Sequence, residues 1–304
     1  MSSSITADTP ATGDAPASSS NPPDSGGSQL LDPPARLSDL LAEPIDAVGL
    51  AGLLSASTAT IRDESLSDSA RATAGAEIQL ALRWLAERPQ LDDDVLELLE
   101  PPAIRPVRRM IEARQFAAAI RAGKPNPAPP TDQLPAWTIV EAEPMETLLD
   151  YYTEAEAATG VAWYWLAAIH VQETRAGRIV GVSSAGAVGP MQFLPSTWQQ
   201  CCVGDPTVTR DAILGAATYL AQSGAPDDMR AAVYQYNPNV SYVVAVTATA
   251  ENLREAPEMF AGYYGWQVYF ASSAGDVRLP VGYARSEPIS ATEYVRQHPQ
   301  DLGD

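Results

Sequence analysis

Apolar positions recur along this chain with a helical period over most of its length. In residues 66–87, Ile78, Ala81, Leu82 and Leu85 follow the i, i+3, i+4, i+7 spacing of one helix face. Residues 92–99 open with three aspartates, which suit the positive end of a helix, and Pro101-Pro102 is expected to end it. From Ile104 to Ala122, Val107, Ile111 and Phe116 alternate with arginines. Residues 34–44 read as a short helix start, and the whole of 34–128 as a helical region. A proline-rich stretch, 123–136, marks a boundary. Beyond it the pattern predicts helices over 144–159, 161–175, 195–201, 209–222, 227–236 and 239–255. Residues 178–194, rich in Gly, Ala and Ser, read as a tight loop. The sequence GYYGWQVYF at 262–270 reads as a strand paired with RLPVGY at 278–283.

Composition refines this picture without redirecting it. Apolar residues make up 45% of the 304, enough for a substantial core. No apolar run is long enough to cross a bilayer as a helix, so the chain is not expected to be an integral membrane protein. The formal charge of -19 argues against nucleic acid and anionic membrane surfaces as partners. Residues 1–33, rich in Ser, Pro, Ala, Asp and Gly, are expected to be disordered, and they have neither the basic nor the apolar segment of a signal peptide. The cysteines, Cys201 and Cys202, are adjacent and can pair only as a strained vicinal disulfide; they read as reduced, small, partly buried residues. With His170 and His298 far apart, no zinc site is expected, and no cofactor.

One helix is chemically unusual. Val161, Trp163, Leu166, Ile169 and Val171 make 161–175 apolar over much of its circumference, yet it ends in His170, Gln172, Glu173 and Thr174. Leu166, Ile169 and Glu173 share a face. That face carries the Glu173 carboxylate to the lip of the core, where desolvation raises a carboxylate's pKa. A carboxyl group protonated near neutrality is what a general acid for glycosidic cleavage requires. The plainer alternative is a solvated glutamate in a last helical turn, or one paired with Arg175 or Arg178.

The segment that follows bears on this choice. ETRAGRIVGVSSAGAVGPMQFLPSTW at 173–198 resembles the signature of the lytic transglycosylases of the soluble, lysozyme-like type. The resemblance lies in Glu173 at a helix end, with Thr174 where serine is usual. It continues through Ser183, Gly186, Ala187, Gly189, Met191 and Gln192 to the pair Tyr236-Asn237. It covers about 165–250 and, through the helical first half and the aromatic C-terminal stretch, extends over roughly 35–285 as in actinobacterial members. It implies a mainly α, α+β lysozyme-like fold, with a helical accessory region at 34–128, a transglycosylase domain at 129–285 and a C-terminal tail at 286–304. The helix of Glu173 and the glycine-rich loop would wall an open cleft.

The implied substrate is the glycan strand of peptidoglycan, cut between N-acetylmuramic acid and N-acetylglucosamine without water, with Glu173 as acid and then base. Ser183, Met191, Gln192, Tyr236 and Asn237 are the implied substrate contacts. Tyr236 would reach Glu173 or the sugar, Ser183 equally suits a loop cap, and Asn237 equally suits a turn before Pro238. Trp198 and Tyr219 read as core, and His170 as packing. Cell-wall synthesis or secretion machinery is a further candidate partner. The location would be extracytoplasmic; either the numbered chain starts downstream of a leader, or it does not encode the export route. Two readings stand beside this one. A hydrolytic muramidase would need a second carboxylate, for which Asp205 and Asp211 are nearest in sequence. A silent peptidoglycan-binding domain would keep Glu173 without using it.

Overall fold

The computed structural model describes residues 36–123 and 130–303. The expected disordered tail and the middle of the proline-rich boundary lie outside them. The described chain is mainly helical with minor β-structure. Its helices are α1 (Ala47–Arg62), α2 (Asp68–Ala86), α3 (Asp92–Leu98), α4 (Pro101–Ala122), α5 (Met145–Thr159), α6 (Trp163–Thr174), α7 (Pro195–Cys201), α8 (Thr209–Gln222), α9 (Met229–Tyr236), α10 (Val240–Glu255), α11 (Met259–Tyr264) and α12 (Ala291–Gln297). Strands β1 (Gln133–Leu134), β2 (Thr138–Ile139), β3 (Ile179–Val180), β4 (Val268–Ser272), β5 (Gly275–Leu279) and β6 (Ile289–Ser290) pair antiparallel as β1–β6, β2–β3 and β4–β5. No described helix is long and apolar enough to cross a membrane.

Most of the expected helices are present, and the departures have physical causes. Helix α1 lies in the region expected to be helical, but its Gly, Ser and Thr content gives weak intrinsic propensity and no clear bounds in the sequence. It is held by burial of Leu50, Leu54, Thr58 and Ile61, with Asp46 capping its start by accepting from the Gly49 N–H at 2.9 Å. Pro101 and Pro102 do not merely end α3. They open α4, where the missing N–H of a first-turn proline has no helical partner to lose.

The stretch 262–270 is not one strand. Gly262 lies within α11 and Gly265 just beyond it; Gly75 of α2 and Gly265 let this region touch α2, while Gly262 makes room for Ile61 of α1. A Cβ on Gly75 would stand 1.9 Å from the Gly262 carbonyl oxygen, and one on Gly265 1.8 Å from that of Ala72. Strand character begins at Val268, which pairs with Leu279 across a tight hairpin; only Arg278 and Leu279 of the expected partner segment take part.

The described residues form two cores. The larger joins both halves of the chain, from Leu37 through α1–α4 to α5, α6, α8, α10 and α11. Buried Asn252 of α10 is a polar pin within it: its amide donates to the Pro106 carbonyl at 3.2 Å and accepts from Arg109 at 3.0 Å, linking α10 to α4. The smaller core gathers Leu134, Val277, Leu279, Tyr283 and Tyr294 around the β4–β5 hairpin. Of residues 286–304, expected as a tail, 286–303 supply β6, α12 and a closing turn to this second core. Asp132 fastens that return, accepting from Thr292 N–H at 3.0 Å and Ser290 Oγ at 2.8 Å.

Candidate functional site

Helix α6 is a core helix. Trp165 through Val171 are all buried, including His170. Its end is fixed by unusual backbone: Arg175 and Ala176, neither a glycine, have φ of 55° and 59°. The Thr174 hydroxyl closes this turn, donating to the Pro190 carbonyl at 2.6 Å and accepting from the Gly177 N–H at 3.0 Å. The helix end and the glycine-rich loop are thereby clasped together one residue from Glu173.

The loop organises itself by internal hydrogen bonds. The Ser183 hydroxyl accepts from Ala185 N–H at 3.2 Å and Ala187 N–H at 3.0 Å, so it faces its own loop. Gly189, at φ 76°, passes so near the backbone of Pro206 that a Cβ would lie 1.8 Å from its carbonyl oxygen. Gln192 has φ 50° and folds its amide back to the Gly189 carbonyl at 2.9 Å. Met191 is fully buried, while its carbonyl accepts from the Tyr236 hydroxyl at 2.5 Å. Phe193, buried next to it, meets the rings of Trp198, Tyr219 and Tyr236 edge-on. Tyr236 therefore grips the loop rather than Glu173. Asn237 ends α9, and its carbonyl accepts from Asn239 N–H at 2.7 Å.

The residue that does reach Glu173 is Tyr242, whose hydroxyl donates to Oε1 at 2.5 Å. Asn239 caps α10 by accepting from Ser241 N–H at 2.9 Å, which sets the first turn that carries Tyr242. The available sequence signal was the inward stripe Tyr242, Val246, Ala250 and Leu253, at whose head the tyrosine stands.

Burial pushes the half-buried Glu173 carboxyl up to about 7, against the opposing pull of the Tyr242 hydrogen bond and of Arg175. Burial, with Glu173 nearby, pushes the Tyr242 phenol well above its ordinary range, so it remains a donor. Burial also pushes His170 down to about 3, leaving a neutral imidazole whose Nδ1 lies 2.7 Å from the Tyr152 hydroxyl. This is a packing partnership.

Both candidate second carboxylates are engaged by hydrogen bonds of their own loop. Asp205 accepts from Thr207 N–H at 2.8 Å and Oγ1 at 2.7 Å, and Asp211 accepts from Asp205 N–H at 3.0 Å. Both organise the 204–211 loop. No open cleft walled by α6 and the glycine-rich loop is seen among the described residues; one cavity is lined by Gly177, Val188, Gly189 and Pro190. Cys201 and Cys202 are joined as a disulfide, which corrects their reading as reduced residues. Among the described residues no group of three His, Cys, Asp or Glu side chains is placed to hold a metal ion.

No family model and no solved structure matches the chain. Over 160 residues it is 27% identical to a protein of Thiobacillus denitrificans named membrane-bound lytic murein transglycosylase F. The match covers 50% of this chain and 34% of that protein, so it spans about a third of the relative's length. The similarity is to lytic transglycosylases in general.

Proposed function

We propose that this chain is a peptidoglycan lytic transglycosylase. It cleaves the bond between N-acetylmuramic acid and N-acetylglucosamine and leaves a 1,6-anhydromuramoyl end. The observation that carries the reading is the Glu173 carboxyl, half-buried, held up to about 7 and hydrogen-bonded by the Tyr242 phenol. A carboxyl poised near neutrality can give a proton and then take one.

In the first step Glu173 protonates the glycosidic oxygen as the C1–O bond breaks, with the muramoyl N-acetyl carbonyl assisting at C1. In the second, the Glu173 carboxylate removes the proton from the C6 hydroxyl as that oxygen closes on C1. The carboxyl is regenerated and no water is consumed, so one carboxylate serves where ordinary glycosidases use two. Tyr242 positions the Glu173 carboxyl. Ser183, Gln192 and Asn237 contact the glycan through loop and turn, while Met191 and Tyr236 shape the loop. Under this reading 129–285 is a lysozyme-like catalytic unit, 34–128 is accessory, and the enzyme works outside the cytoplasmic membrane on the cell wall.

Mass analysis of products released from purified cell walls tests it. Anhydromuramoyl ends are expected. Reducing ends heavier by one water would instead assign hydrolysis, the second reading, which the loop-bound state of Asp205 and Asp211 disfavours.

A further inference from the structure

A cavity of about 290 Å³ opens between α2, α4, the end of α6, α10 and Trp266. Three arginines are among its lining residues: Arg83 from α2, Arg114 from α4 and Arg175 from the cap that ends α6. The rest of its wall is mainly apolar, with Leu82, Met110 and Trp266 prominent.

The positive charge is only partly answered by the protein. Arg83 pairs with Asp276, and Arg114 with Asp92 at 2.5 Å. Even so, Nε and Nη1 of Arg114 are buried without a hydrogen-bond partner. Arg175 has no carboxylate in ion-pair contact among the described residues; its Nη1 donates to the carbonyls of Val171 at 2.6 Å and Gln172 at 3.4 Å. Burial and the neighbouring Arg83 charge push Arg175 down to about 10, which leaves it cationic at neutral pH. The Arg83 and Arg175 charges oppose one another beside this cavity, an arrangement that an anion within it would relieve.

We infer that this cavity binds a small carboxylate-bearing ligand with an aliphatic body. Guanidinium groups recognise the carboxylate by charge-assisted, paired hydrogen bonds. Leu82, Met110 and Trp266 give the carbon skeleton an apolar bed, which inorganic phosphate has no body to use. A free dicarboxylate and the acidic end of a short peptide share this chemistry. The lining belongs to residues other than Glu173 and Tyr242, although the Arg175 charge is also felt at Glu173.

The test is calorimetric titration of the full chain with glutarate, glutaramide, inorganic phosphate and acetyl-Ala-Glu with free or amidated carboxyls. Glutarate is expected to bind once per chain and more weakly as salt rises, while glutaramide stays at least tenfold weaker. Arg114→Gln and Arg175→Gln should each weaken glutarate at least tenfold. Should either fail to fold, Ala117→Leu fills the cavity without removing a charge and should abolish the same binding. Displacement of glutarate by the free-acid peptide but not its amide supports the peptide source; binding of glutarate alone supports the free dicarboxylate. Equal binding of glutaramide, tighter binding of phosphate, unchanged binding in the folded variants, or no binding of either acid, leaving a cavity that holds only water, overturns the inference.

Discussion

Glu173 and Asp301 are both withdrawn from solvent, one in the larger core and one in the smaller, and their surroundings differ in kind. Asp301 is matched by a cation: Arg278 lies 3.2 Å from one oxygen, and the Tyr294 hydroxyl donates to the other at 2.8 Å. Glu173 has a tyrosine hydroxyl and a more distant field from Arg175, and burial wins over both. A paired carboxylate in a core has its charge fixed and serves as a fastening. A carboxylate denied a full partner keeps a proton near neutrality and is able to exchange it. The same burial therefore yields structure in one place and candidate chemistry in the other, according to whether a cation is supplied.

That contrast can be broken at its chemical end first. Glu173→Gln should lower release of glycan fragments from purified cell walls by at least about 10³-fold, because one group performs both proton transfers. Retained binding of glycan by this variant would separate loss of chemistry from loss of fold, and unchanged release would remove Glu173 from the mechanism. At the structural end, Asp301→Asn should cost about 2 kcal/mol in urea unfolding by removing the buried charge to which Arg278 and the Tyr294 hydroxyl both bind. Its effect on turnover should be small.

The chemical end also responds to pH. Glu173 has a folded pKa near 7 against an ordinary 4.5, so the folded protein binds its proton more tightly than the unfolded chain does. Its contribution is fully present below about 4.5 and is lost as pH rises to about 7, a decline of roughly 3 kcal/mol for this group. Glu173→Gln should flatten that part of the stability profile, as read by denaturation midpoints across the range. The mildest probe is Tyr242→Phe. It removes the hydrogen bond that favours the carboxylate, so the Glu173 pKa rises and the alkaline fall in activity moves to higher pH, with a loss at optimum of about tenfold or less.

Where the sequence allowed these features to be read, the reason is local periodicity. Glu173 could be placed at the lip of a buried helix because Leu166 and Ile169 mark its face within two turns. Tyr242 could not be matched to it, since the two are 69 residues apart and meet only through packing of α10 on α6. Tyr236 drew attention by motif, yet its hydroxyl goes to the Met191 carbonyl. The bounds of helix α1 escaped for a related reason: its Gly, Ser and Thr residues are poor helix formers, and tertiary burial of its leucines decides the outcome. The closing segment 286–303 looked polar enough for a tail, but Tyr294, Ala291 and Asp301 are anchored by a hairpin that precedes them in the chain.

The glycine crossing of α2 with α11 has a consequence for how the chain is made. Gly75 and Gly262 meet backbone to backbone, although one is synthesised long before the other. The early helices therefore leave the ribosome with faces that only the late helices can cover. A chain wired in this way completes its main core only after nearly all of it has emerged, and until then those apolar faces stay open to other chains.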